Sequence, residues 1–356
     1  KVAGSVGRAN GLNLGVSLAV KTTSSSEAAR TLRHIPEEES WGLRNFLPWL
    51  CCGSGRNNLS QGMSDGLAWE PEKESSKAQL KVIYVTDVEG NWVYFCNFVD
   101  LSHGIRFRES GDHRQARHAP ELILEDGYHF VFGGDTCDKG PGTLRCLRAF
   151  VQLKRDYPDR VHLLLGNREC NKIRFTSEFT VEEVAAISPN SPAAYWVPEK
   201  NRERPWNYFR KIAAKAKGVD VADLREDDIR AHINKATVLR YHLKHDMGGD
   251  GEFEFRRKEL AHLWDRSETT ISDEEVVKSY EDSLAPGGEM REYLKMSQLA
   301  SLLGDTLFVH GQLIGNQFFE CGKDGVAWAV GVVPELGCFT SRKVDDLRNW
   351  VMELNK

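Results

Sequence analysis

The chain lacks any apolar run approaching the roughly 18 to 20 residues that a membrane-spanning helix requires, so no span is expected. It also has little net charge. Its 47 basic and 52 acidic residues leave −5 at neutral pH, which supplies no overall attraction for nucleic acid or anionic lipid. Nucleic-acid binding would need a local basic or aromatic groove. None of the eight cysteines forms a C-x-x-C pair, and their scatter along the 356 residues excludes the dense framework of a small secreted scaffold. Reduced thiols in an intracellular compartment are the expectation. No internal repeat and no long low-complexity tract is present, which excludes a solenoid. An initial methionine is missing too, so the numbering is expected to begin inside a longer or processed chain. Residues 1–35 set Lys1, Arg8, Lys21, Arg30 and Arg33 against Glu27 alone. That balance suits a transit peptide for a mitochondrion or plastid, and an ordinary polar tail equally well.

What is there changes along the chain. Residues 1–80 are rich in Ser, Gly and Asn and carry one apolar knot, Trp41 to Leu50, followed by Cys51 and Cys52. This N-terminal extension suits packing against a partner in an assembly. The two cysteines are expected to be buried thiols rather than a lipidation site. From residue 81 short β-rich runs each end in a polar cluster: Val82–Val85 before Asp87, Phe130–Phe132 before Asp135, Val161–Leu165 before Asn167, and Leu307–Val309 before His310. Asp126-Gly127 signals a hairpin between the runs at 121–124 and 128–132. Helical spacing places Trp92, Phe95, Phe98 and Val99 on one face, and Leu144, Leu147 and Val151 on another, with Pro141 at the first helical position. Strand and helix therefore alternate in a layered α/β core, where ligands gather beyond the carboxyl ends of the strands. Residues 176–303 instead read as a helical insertion, broken at 246–251 and at Pro286-Gly-Gly288.

The strand ends offer Asp87, Glu89, Asp135, Asp138, Asn167, Glu169 and His310. Any one Asp or Asn after a strand is most simply a turn or cap residue. Four such clusters in succession, flanked by glycines, are better explained by a metal centre. Carboxylates, an amide oxygen and an imidazole suit Mn, Fe or Zn, and clustered carboxylates repel unless cations stand between them. Two ions would neutralise charge on both the attacking and leaving oxygens of a phosphoryl group.

The order Asp87-x-x-Gly-Asn91, Gly134-Asp-x-x-Asp-Lys-Gly140, Gly166-Asn-x-Glu169 and His310-Gly311 resembles the calcineurin-like metallophosphoesterases, including the phosphoprotein phosphatases. The stretches 166–175 and 253–260 are similar to a subfamily with a helical insertion in this place. The resemblance implies a four-layer α-β-β-α sandwich. It divides the chain into an extension (1–80), a first core part (81–175), an all-helical insertion (176–303) and a second core part (304–356). It makes Asp87 a ligand of the first metal, Asp135 the bridge, and Asn167 and His310 ligands of the second, with Asp138, Lys139 and Arg168 as catalytic groups.

Lys139 takes the place of the family's phosphate-facing arginine, and holds charge without a bidentate fork. Glu89 takes the place of a histidine ligand and adds negative charge. Arg168 takes the place of a histidine thought to protonate the leaving group, which a guanidinium cannot do near neutral pH. The family's later histidine ligand has no counterpart, because no histidine follows His310. The second site is then expected to be weak, and the last strands of the sheet missing unless the natural chain continues. His242, His245 and His262 lie in the insertion and could substitute, although helical histidines there are more simply surface or packing residues. Arg106, Arg108, Arg114 and Arg117 form a basic loop that would suit an acidic partner or a phosphate-bearing substrate, although a solvated loop is the favoured reading. Cys137 would be redox-sensitive if exposed.

These residues favour a metal-dependent phosphoester hydrolase acting on a phosphorylated substrate. The alternative is a catalytically silent scaffold subunit of the same fold. A nuclease or nucleotide pyrophosphatase shares the core and is disfavoured by charge where long nucleic acid is concerned.

Overall fold

The computed structural model describes residues 19–21, 80–311, 332–334 and 341–356. The extension other than 19–21 and 80, with Cys51 and Cys52, lies outside the described residues. The strands run in order β1 (Ala19–Lys21), β2 (Lys81–Val85), β3 (Ile105–Phe107), β4 (Leu122–Leu124), β5 (Tyr128–Phe132), β6 (Val161–Leu164), β7 (Ser297–Gln298), β8 (Ala300–Leu303), β9 (Thr306–Val309), β10 (Val332–Pro334) and β11 (Ser341–Lys343).

A parallel sheet of order β2-β5-β6-β7 forms the centre, and an antiparallel sheet of order β1-β9-β8 lies against it. Strand alternation builds the layers. Along β5, Phe130 and Phe132 point toward helices α1 (Trp92–Leu101) and α2 (Thr143–Asp156), where Phe132 and Phe150 stack with centroids 4.2 Å apart. Val131 points the other way and packs with Leu164 and Phe308 between the sheets. The far face of the second sheet buries Ala300, Leu307 and Val309 against Trp350 and Val351 of the C-terminal helix Leu347–Leu354. The layers therefore run helix, sheet, sheet, helix, a mixed α/β sandwich of the kind the sequence implies.

Two local expectations are corrected. Asp126-Gly127 does turn the chain, with Tyr128 N–H donating to Glu125 O at 3.2 Å and Gly127 at φ 76°. It does not close a hairpin: β4 pairs with β3, because both edges of β5 are taken by β2 and β6. Pro141 sits ahead of α2, whose N-cap is Gly142, so the ring precedes the helix rather than opening it.

The segment from 181 to 296 is helical, with its longest elements at Pro205–Lys217, Glu252–Trp264 and Asp273–Leu284. Several contacts fasten it to the core. Glu259 accepts from the Leu144 and Arg145 N–H groups at 3.0 and 3.1 Å, satisfying donors that the start of α2 leaves open. The Tyr293 hydroxyl donates to Leu164 O at 2.8 Å. The basic loop is an internal lattice rather than an open patch. Arg106 pairs with Glu125, Arg108 with Glu121, Arg114 with Asp100 and Asp112, and Arg117 with Asp265.

Phe150 is fully buried between Phe95, Phe130 and Phe132. Phe150→Ala is expected to lower unfolding free energy by about 3–5 kcal/mol, through lost transfer energy and a residual cavity. Urea unfolding followed by fluorescence measures it.

Candidate metal centre

The loops after β2 and β5 are stitched together before any side chain is considered. Asp87 N–H donates to Gly134 O at 3.0 Å, Glu89 N–H to Asp135 O at 2.9 Å, and Lys139 N–H to Glu89 O at 2.9 Å. Asp87, Glu89, Asp135 and Asp138 all hold positive φ, at 52°, 52°, 60° and 94°. Among described non-glycine residues only Asp265 shares this, so backbone strain is concentrated at the strand ends. Gly166 permits the closest approach. A Cβ there would stand 2.3 Å from Asp135 Oδ1 and 2.4 Å from Asp135 N.

The side chains converge on one pocket. Asp87, Glu89 and Asp135 each offer a carboxylate oxygen, and the three lie within 4.8 Å of one another. Asn167 Oδ1 lies 3.2 Å from His310 Nε2, which lies 3.4 Å from Asp135 Oδ1. His310 Nδ1 meets Gly133 O at 2.8 Å, which turns the other ring nitrogen toward Asp135. Burial pushes the Asp87 and Asp135 carboxyls above the usual carboxylate range, against the opposing effects of the Thr86 hydroxyl on the former and His310 on the latter. Asp87 Oδ1 is buried with no hydrogen-bond partner among the described residues.

Cations stand close by. Lys139 Nζ lies 2.6 Å from Glu89 Oε1, and Arg168 Nη2 approaches the same oxygen at 2.9 Å. Arg168 also reaches Asp135 Oδ2 at 3.3 Å and Asp138 Oδ2 at 3.4 Å. Burial works to lower the Arg168 pKa, but Asp138, Glu89 and Asp135 outweigh it and hold the guanidinium charged. Asp138 is fully buried and pairs with Lys172 at 2.7 Å.

A family model for calcineurin-like phosphoesterases matches residues 80–269, just over half of the chain. The chain belongs to this family. No curated protein matches it. Members of the calcineurin-like phosphoesterase family bind divalent metal ions, and the donors of this one fit such a cation. The buried Asp87 Oδ1 without a partner and the three clustered carboxylates are hard oxygen donors that a divalent ion satisfies and whose repulsion it relieves.

The substitute histidines do not join the site. His242 Nδ1 pairs with Asp246 at 2.6 Å, His245 packs on Tyr208 and Tyr241, and His262 meets Ala116 O at 3.2 Å. Cys137 is buried, which pushes its thiol well above the ordinary value and removes the redox reading.

Several residues have roles at the site that a reading of motifs does not show. Glu169 is wholly buried and accepts from the N–H groups of Asp135 at 3.1 Å, Thr136 and Gly166 at 2.9 Å, so it holds two strand-end loops together. Lys172 neutralises Asp138. Its position four residues after Arg168, on the face of the helix Asn167–Ile173, was the available signal. Gly249 lies against Asp138, where an added Cβ would stand 3.1 Å from Asp138 Cβ, so the segment between helices walls the site.

Because folding raises the Asp87 and Asp135 carboxyls, their contribution to stability is greatest below the ordinary carboxylate range and is lost as pH rises through the raised values. Asp87→Asn is therefore expected to raise the melting temperature of the metal-free protein at pH 7 by more than at pH 4. Calorimetry at the two pH values checks the sign, while the same variant loses affinity for manganese.

Proposed function

We propose that this chain is a metal-dependent phosphoester hydrolase whose centre takes two divalent ions. The observation that carries the reading is the convergence of four donors, Asp87, Asp135, Asn167 and His310, beside two cations, Lys139 and Arg168. Asp87, Asp135 and Glu89 would hold one ion; Asp135, Asn167 and His310 would hold the other, with fewer charged donors and weaker occupancy. The ions would be of Mn, Fe or Zn type and would polarise the phosphoryl oxygens and favour the attacking oxygen.

The remaining steps fall to the chain itself. Lys139 and Arg168 bind phosphoryl oxygens, Lys139 as a point charge and Arg168 as a planar fork. Asp138 is too deeply buried to meet substrate. It is better read as a positioning residue that fixes Arg168, with Lys172 balancing its charge. Arg168 holds its proton throughout and gives none to the leaving oxygen. Phosphoesters whose leaving groups depart unprotonated, such as aryl phosphates, are then the favoured substrate class.

A second reading, a silent scaffold of the same fold, draws on the same ion pairs, since Arg168 and Lys139 already neutralise part of the carboxylate charge.

Two outcomes test the proposal. Turnover of an aryl phosphate by the purified chain should rise with added manganese and fall at least roughly a hundredfold in Asp135→Asn, the scale of charge stabilisation lost from a closed site. A folded chain that neither binds manganese nor turns over leaves the scaffold reading. Across a series of phosphate monoesters, rate should climb steeply with leaving-group acidity, and Arg168→Ala should raise KM about tenfold without flattening that slope. A slope near zero would reveal a proton donor at the leaving oxygen.

A further inference from the structure

Glu89 offers an oxygen to the metal cluster, but its other contacts go beyond metal binding. A ligand carboxylate would be expected to present its oxygens to the ion and leave the phosphate-binding cations free for substrate. Here one oxygen, Glu89 Oε1, is gripped by both of them, Lys139 Nζ at 2.6 Å and Arg168 Nη2 at 2.9 Å. The grip is built in rather than incidental. Glu89 is buried, its backbone is pinned by Asp135 O and by the Lys139 N–H, and its φ of 52° holds the residue in the left-handed region that non-glycine residues rarely adopt. Arg168 is held in place from behind by Asp138, so the carboxylate meets a guanidinium already aimed at it.

Two cations converging on one carboxylate oxygen form the kind of cradle that a phosphoryl oxygen would occupy. We propose that Glu89 is an internal stand-in for the substrate's phosphate: its carboxylate occupies Lys139 and Arg168 until a phosphoryl group displaces it. This rests on the hydrolase reading and deepens it, by making anion entry a competition between two negatively charged groups for one pair of cations. No bond is made or broken; one ion pair exchanges for another. The exchange selects for substrates with dianionic phosphate, since a singly charged ester gains little over the carboxylate it must displace. It also offsets the cost of desolvating the two cations.

The test is isothermal calorimetry of inorganic phosphate binding to the full chain in saturating manganese, for the wild type and Glu89→Gln, with manganese titrated separately into each. Glutamine keeps the length and shape of the side chain while removing its charge. The inference expects Glu89→Gln to bind phosphate roughly tenfold more tightly, on the scale of coupling between close charge pairs. Lys139→Met should weaken phosphate binding and should shrink the gain from Glu89→Gln when the two are combined. Unchanged or weaker phosphate binding by Glu89→Gln overturns the inference, whether manganese binding is kept or lost. Absence of phosphate binding in both proteins overturns it as well. Failure of the wild type to bind manganese counts against the hydrolase reading instead. Should Glu89→Gln not fold, Glu89→Asp withdraws the carboxylate by one methylene and is expected to tighten phosphate binding by a smaller factor. No tightening there is equally decisive against the inference.

Discussion

Four carboxylates, those of Asp87, Glu89, Asp135 and Asp138, are held out of water at the ends of two adjacent strands, and their mutual repulsion is the constraint that the surrounding structure answers. Charges so placed are costly unless matched, because the low-dielectric interior strengthens repulsion as much as attraction. The chain matches them in depth. Lys172 takes Asp138 at the bottom, Arg168 spans Asp138, Asp135 and Glu89, and Lys139 reaches Glu89 from the loop that carries Asp138. Asp87 is left with a hydrogen bond from the Thr86 hydroxyl at 2.6 Å and one oxygen without a partner among the described residues. That residual imbalance is what makes the pocket receptive to a cation.

The same principle ties the helical segment to the site. Behind Asp138 buried ionisable groups continue into the helix Glu252–Trp264, with Glu252 accepting from the Tyr280 hydroxyl at 3.0 Å and Glu259 capping α2. Burial, with the nearby Asp138 charge, pushes the Glu252 carboxyl up to about 8. The helices thus share an electrostatic network with the loops at the strand ends, and Gly249 brings their connecting backbone against Asp138 itself. Removing a charge inside this network should disturb the site from a distance, since a half-matched buried group is worse than an apolar one.

Much of the fold was readable from local patterning. Runs such as Val82–Val85 and Val161–Leu164 announce strands because one period-two face meets helices and the other meets the second sheet, leaving them largely apolar. The polar residues after them mark the site because strand ends in parallel sheets point to one edge. Sheet partnership was less legible. Asp126-Gly127 carries a hairpin signal, yet β4 pairs elsewhere, because pairing depends on strands distant in sequence. The roles of Lys172, Glu169 and Gly249 are hidden from the sequence for a similar reason. Each acts through a neighbour brought close by folding, and none belongs to a motif that names its partner. Lys139 and Arg168 are expected from the motifs to face phosphate. Their hold on Glu89 is set by the fold, because a sequence records charges and not which of them meet.

The most direct measurement is anomalous X-ray diffraction from crystals of the full chain grown or soaked in manganese. The account predicts an anomalous peak at an oxygen-ligand distance of roughly 2–2.5 Å from the carboxylates of Asp87 and Asp135, with a weaker second peak between Asp135, Asn167 and His310. Ordered density for all four side chains with no anomalous peak among them, while manganese binds elsewhere or not at all, would contradict it.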